Sequence, residues 1–127
     1  MRGHGLPSSP ATPYTQDMIK DTLDKIEQRL VKSAAMKPEN KDAIRELLGE
    51  LREEIAELAE TRGEQADSIA GFVESSTREA TREEQDPELL DLSLKGLQQS
   101  IREFEVSHPR LTGVVNRIFT ALSDMGI

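Results

Sequence analysis

The stretch DPELLDLSLKGLQQSIREFEVSHP, residues 86–109, decides the fold class. Its apolar residues recur in steps of four, three, four and three, the heptad spacing of an α-helix with one buried seam. Asp86 is placed to cap the helix, and Pro87 follows at the first helical position. Pro109 predicts that the helix ends near Ser107-His108. The seam comprises Leu90, Leu94, Leu97, Ile101 and Phe104, and Leu89 and Leu92 broaden it.

Three other segments show the same step pattern and predict three further helices. The first runs from Thr15 to near Met36, with the seam Ile19, Leu23, Ile26 and Leu30. The second runs from about Pro38 to Thr61, with the seam Ile44, Leu48, Leu51, Ile55 and Leu58. The last starts at Pro109, with the seam Leu111, Val115, Ile118, Leu122 and Met125.

Residues 64–80 form the least regular segment. Their apolar stripe is shorter and predicts a helix, although the pattern leaves open whether it is a single one. The stripe comprises Ala66, Ile69, Ala70, Phe72 and Val73. Gly49 and Gly96 stand inside helical patterns, and we interpret them as places where helices pack closely.

The breaks between helices carry Pro or Gly, which favours helices that fold back on each other over one long rod. We therefore predict an all-α bundle of antiparallel hairpins with coiled-coil-like seams. Helices one and two could form one hairpin and the last two a second, but the sequence leaves open which helices pair. We expect residues 14–127 to form a single helical domain, and the Gly-, Pro- and Ser-rich residues 1–13 to be a disordered tail or a remnant of cloning. The sequence leaves open whether the seams pack against each other within one chain or between chains. A chain this short often completes its core by self-association.

Composition excludes several classes of function. The net charge is −8, and no stretch forms a basic face, so we expect no nucleic-acid binding. With no cysteine, the chain has neither thiolate metal sites nor a cysteine nucleophile. Its apolar runs are too short to span a membrane, and no signal peptide is evident, so we expect a cytoplasmic protein without a membrane partner.

The sharpest local motif is Glu105-x-x-His108, just before Pro109. On a helix these two side chains share a face, the arrangement that dinuclear carboxylate proteins use for iron or manganese. One pair is insufficient, so only a dimer could complete such a site. The alternative interpretation is a structural corner in which Ser107, His108 and Pro109 join two helices. Adjacent serine and histidine side chains rarely form a nucleophilic pair, and we predict neither catalytic residues nor a cofactor.

The C-terminal half resembles a family of short bacterial helical proteins known only as a domain of unknown function. The resemblance rests on SIAGFVESSTREATRE, on the Phe104-Glu105-x-Ser107-His108-Pro109 corner and on the Met125-Gly126-Ile127 ending. It extends over about residues 19–127 and is most specific over residues 68–127. The resemblance implies a helical fold and a bacterial source, and it transfers no activity.

Two functions from different classes follow as expectations. The first is a non-catalytic helical interaction or accessory protein. Its apolar seams would close a homo-oligomer, and its acidic faces would be left for another protein. The alternative is a dinuclear metal-binding protein that uses Glu105 and His108 across a dimer.

Overall fold

The computed structural model of the chain describes residues 13–34 and 36–125. These residues form α1 (Pro13–Lys32), α2 (Pro38–Ala59), α3 (Gly63–Ala80), α4 (Pro87–Ile101) and α5 (Pro109–Met125), with a 3-10 turn at Arg102–Phe104. The all-α fold is confirmed. No helix in the described ranges is long and apolar enough to cross a membrane. The predicted N-terminal tail, apart from Pro13, and the Gly126-Ile127 ending lie outside the described residues.

The seams of α1, α2, α4 and α5 meet in one hydrophobic core. Every predicted seam residue except Met125, which is only partly buried, is at most 5% exposed, and most of them are fully buried. Leu97 of α4, for example, is 0% exposed, as are Leu51 of α2 and Ile118 of α5. Because the seams are covered within a single chain, a second chain is not required to bury them.

The irregular segment 64–80 becomes the central helix of the bundle. α3 contacts each of the other four α-helices, most extensively α1 and α4. α1 packs on α3 more extensively than on α2, which differs from the predicted hairpin of helices one and two. The buried side of α3 is rich in small residues, which let neighbouring helices approach closely. These residues are Ala66, Ala70, Ser76, Thr77 and Ala80.

Phe72 departs from the predicted stripe of α3. Its side chain is 37% exposed and lies over Gly96 of α4 instead of in the core. A Cβ at position 96 would lie 2.5 Å from Cε1 of Phe72, so Gly96 is indeed a position of close packing. The same interpretation of Gly49 is wrong, because no atom lies within 4 Å of where its Cβ would stand.

Three helix ends fall before their predicted positions, that of α2 by two residues, at Ala59. α1 ends at Lys32, and Met36 lies beyond it, although its side chain is buried. α4 starts as predicted, with the carboxylate of Asp86 accepting hydrogen bonds from the backbone N–H of Glu88 at 3.0 Å and of Leu89 at 3.3 Å. It ends at Ile101, six residues before Ser107, and the 3-10 turn then brings Phe104 into the core.

Candidate functional site: the α4–α5 corner and the bundle surface

The corner between α4 and α5 is a tight turn held by backbone hydrogen bonds. The N–H of His108 donates to the carbonyl of Phe104 at 2.8 Å, and the N–H of Thr112 donates to the carbonyl of His108 at 3.1 Å. The hydroxyl of Thr112 also donates to the carbonyl of Pro109 at 3.1 Å. The chain therefore satisfies its own polar groups where Pro109 starts α5 without an N–H.

An aromatic stack stabilises the corner. The ring of Phe104 is 1% exposed, and the ring of His108 meets it edge-on, with the centroids 5.6 Å apart and the planes at 88°. The guanidinium of Arg62 covers the Phe104 ring at 5.3 Å from its centroid, within the range of a cation–π contact. Nη2 of Arg62 is also 2.7 Å from a carboxylate oxygen of Glu103. Arg62 thus ties the α2–α3 connection to the corner.

The sequence pattern does not reveal the part that Arg62 plays. Arg62 and Phe104 are 42 positions apart in the chain, and no local spacing relates them. The only local hint is the Arg62-Gly63 break, which predicts the end of the second helix. In the structure α2 ends at Ala59 and Gly63 opens α3, so Arg62 lies in the connection that faces the corner.

The corner does not present the Glu-x-x-His pair as a helical metal motif. Residues 105–107 form a turn beyond the end of α4, so the shared helical face expected of Glu105 and His108 is absent. Nδ1 of His108 lies 3.0 Å from the hydroxyl oxygen of Ser107, and Glu105 is exposed. Over residues 13–34 and 36–125, no group of three or more His, Asp or Glu side chains is arranged to hold a metal ion.

The outer face of α2 carries an acidic surface, with part of its charge neutralised. Glu50 pairs with Arg117 of α5 at 3.2 Å. In the part of the chain that the structure describes, Glu53, Glu57 and Glu60 are exposed and form no ion pair. This face therefore keeps a net negative charge.

A second surface is apolar, and we name it the α4 patch: Leu89 and Leu92 of α4 with Phe72 of α3. Leu89 is 42% exposed and Leu92 is 63% exposed, so the prediction that they broaden the buried seam is wrong. On a helix, positions 89, 92 and 96 fall on one side because they differ by three and four residues. Since Phe72 covers Gly96, its ring continues this side. The three side chains therefore lie along one edge of the bundle.

The fold and the surface together define the class of protein. It is a five-helix bundle, and the features that distinguish its described residues are the aromatic corner between α4 and α5, the acidic face of α2 and the α4 patch. Within that class, the chain belongs to the family described as Domain of unknown function (DUF4404), whose model matches residues 44–127. The match begins inside α2, so α1 lies outside it, and the resemblance that we expected from residue 19 is shown only from residue 44. No curated protein and no solved structure matched the chain.

Proposed function

We propose that the protein is a non-catalytic helical interaction protein that self-associates through the α4 patch. One observation carries the proposal: apolar side chains remain exposed side by side on α4 and α3 after the seams have been buried. Leu92 is 63% exposed, whereas Leu90 and Leu94 on the same helix are 4% exposed. Large apolar side chains grouped on a surface mark contact sites more often than scattered ones do.

A second copy of the chain is the occupant that the charges favour. The α4 patch borders Asp91 and Lys95, which pair with each other at 2.9 Å, so these two residues add no net charge at its edge, and Glu88 is the exposed acid beside it. Two copies can bring their patches together about a two-fold axis without strong repulsion. The acidic face of α2 is a poor contact for a second copy, because it would oppose like charges.

The size of the patch sets the strength that we expect. Three partly exposed side chains cover less than the roughly 800 Å² that each partner buries in a standard stable interface. The association is therefore expected to be weak, with a dissociation constant in about the micromolar range or above. Such a dimer forms and dissociates with concentration and does not hold the fold together.

Sedimentation velocity over a wide range of protein concentration tests this proposal on the full chain. The expected result is a reversible shift from monomer to dimer. Leu92→Glu places a charge in the patch and should weaken the dimer by about tenfold or more, since a buried unpaired charge is costly. Leu92 is exposed in the monomer, so the variant should keep its helical circular dichroism.

Val31→Glu is the matched control. Val31 is 54% exposed on α1, so the substitution adds the same charge at a similarly exposed apolar position outside the patch. It should leave the dimerisation constant within about twofold of the wild-type value. The proposal fails if the wild-type chain stays monomeric at every concentration, or if the two variants weaken association equally.

A further inference from the structure

A cationic cleft lies where the end of α1 meets the end of α3. It has a volume of about 360 Å³ and is lined by Lys25, Gln28, Arg29, Lys32, Ser33 and Thr81. In a chain of net charge −8, these six residues bring three cations together and include no carboxylate. Positions 25, 29 and 32 differ by four and three residues, so the three cations lie on one side of α1.

Two acids of α1, Asp24 and Glu27, lie on the opposite flank of the helix, whereas Asp21 stands one turn before Lys25. Asp24 and Glu27 pair with Arg52 of α2 at 2.8 and 3.2 Å. Among the described residues, Lys25, Arg29 and Lys32 form no ion pair. α1 therefore carries two neutralised acids on the α2 side, and three cations without an ion pair among the described residues on the α3 side.

Two polar atoms of the cleft residues are buried without a hydrogen-bond partner. They are Nε of Arg29 and the hydroxyl oxygen of Ser33. Buried donors are almost always satisfied in folded proteins, and each exception calls for an explanation. Both residues line the same cleft, so an anion bound there would lie beside both side chains; the two other such atoms among the described residues, in Arg62 and Ser76, lie outside it.

Helix dipoles account for only part of this charge. α1 ends at Lys32 and α3 at Ala80, and a helix C-terminus carries about half a negative charge, so two of them supply about −1. The three side chains supply +3, so the dipoles offset only part of their charge. Lys25 also lies seven residues before the end of α1, beyond the last turn, where the dipole acts.

We propose that this cleft binds a dianionic phosphate group. A phosphate dianion is complementary to this positive charge, and its oxygens would accept from the guanidinium of Arg29, the ammonium groups of Lys25 and Lys32 and the amide of Gln28. The hydroxyl of Thr81 donates to the carbonyl of Thr77 at 2.8 Å, so Thr81 shapes the wall and supplies no donor there. The volume of the cleft leaves room for a small organic group esterified to the phosphate.

The test is a titration of the ¹⁵N-labelled full chain with inorganic phosphate, followed by amide chemical shifts, with sodium chloride at matched ionic strength as the reference. Saturable one-to-one shifts are expected at residues 25–33 and 81, with a dissociation constant in about the millimolar range. The net negative charge repels anions elsewhere on the protein, so saturation confined to this cleft reports a built site.

Variants connect the binding to the named cations. Lys25→Gln and Arg29→Gln should each weaken phosphate binding by about tenfold, the effect of losing one charge-assisted hydrogen bond. Lys25 is exposed, so that variant stays informative even if Arg29→Gln fails to fold. Lys20→Gln is the control, because it removes the same charge from α1 outside the cleft, and it should change the affinity by less than about twofold.

Two further arms identify the source of the phosphate. Saturable binding of glycerol phosphate that depends on Lys25 would indicate a soluble phosphoester. Lys25-dependent sedimentation with phosphatidic acid vesicles, without binding of glycerol phosphate, would indicate a lipid headgroup. The proposal is overturned if phosphate binds no more tightly than about 10 mM, if chloride produces the same shifts, or if Lys20→Gln weakens binding as much as Lys25→Gln.

Discussion

The contact between Phe72 and Gly96 yields a prediction that the sequence alone could not supply. A methyl group added at Gly96 would lie 2.5 Å from Cε1 and 2.9 Å from Cδ1 of Phe72. Carbon atoms pack best at about 3.5–4.0 Å, so the ring must move by about 1 Å or more. The ring can move because Phe72 is 37% exposed, but it then loses part of its packing on α4.

Two opposing contributions set the magnitude of Gly96→Ala. Alanine is favoured over glycine in a helix interior by about 1 kcal/mol. Displacing Phe72 costs about 1–2 kcal/mol, because full burial of such a side chain contributes about 1.5–3 kcal/mol and only part of it is lost. In the wild-type background we therefore expect a change between about zero and a loss of about 1 kcal/mol.

The Phe72→Ala background should change this outcome. With the ring absent, Gly96→Ala keeps only the gain in helix propensity and should stabilise the fold by about 1 kcal/mol. Chemical denaturation followed by circular dichroism, at protein concentrations low enough to keep the chain monomeric, gives the free energy of unfolding of all four proteins. The expected coupling between the two positions is about 1–2 kcal/mol.

Gly49→Ala supplies the matched control. Gly49 lies inside α2 with nothing within 4 Å of its Cβ direction, so alanine there should stabilise the fold by about 1 kcal/mol in either background. A coupling between Phe72 and Gly96 below about 0.5 kcal/mol would refute the packing argument. So would an equal coupling between Phe72 and Gly49, since these two positions share no contact.

Two further substitutions test the core and the corner. Leu97→Ala should lower the free energy of unfolding by about 2–5 kcal/mol in the same denaturation assay, because Leu97 is 0% exposed; a cost below about 1 kcal/mol would contradict its place in the core. Arg62→Ala should lower the free energy of unfolding more than Glu103→Ala does. The first substitution removes both the contact with the Phe104 ring and the ion pair. The second removes only the ion pair, which is worth about 0–1 kcal/mol because the Glu103 side chain is 54% exposed and the pair is screened by solvent. Equal losses would mean that the ion pair alone holds Arg62.

Heptad spacing alone identified the residues that became the core. Leu48, Leu97 and Ile118 are each at most 2% exposed, because on an α-helix the spacing determines which side chains share a face, and that face is the one to be buried. The start of α4 was equally predictable, because Asp86 and Pro87 act on the first turn whatever packs around it. Both signals are local, and tertiary contacts do not need to supply them.

Heptad spacing predicted that Leu92 and Phe72 would be buried beside a seam, but both side chains are exposed. Both are apolar residues next to a predicted seam, and the width of a buried stripe depends on which neighbour packs beside the helix. Contacts between distant residues were also out of reach, as with Arg62 over Phe104. The cleft at Arg29 forms only because α1 packs beside α3, so that the end of one helix lies at the end of the other.

The sequence by itself thus determined that the chain is all-α, where most helices lie and which face of each is buried, since helical period and end signals act within a few residues. The tertiary structure decided the rest. It put α3 at the centre, because small residues such as Ala66 and Ala70 admit close neighbours on several sides. That arrangement buries the seams within one chain, leaves the α4 patch exposed and turns the side of α1 that carries its cations into one wall of a cleft, because each outcome depends on which helix packs beside which.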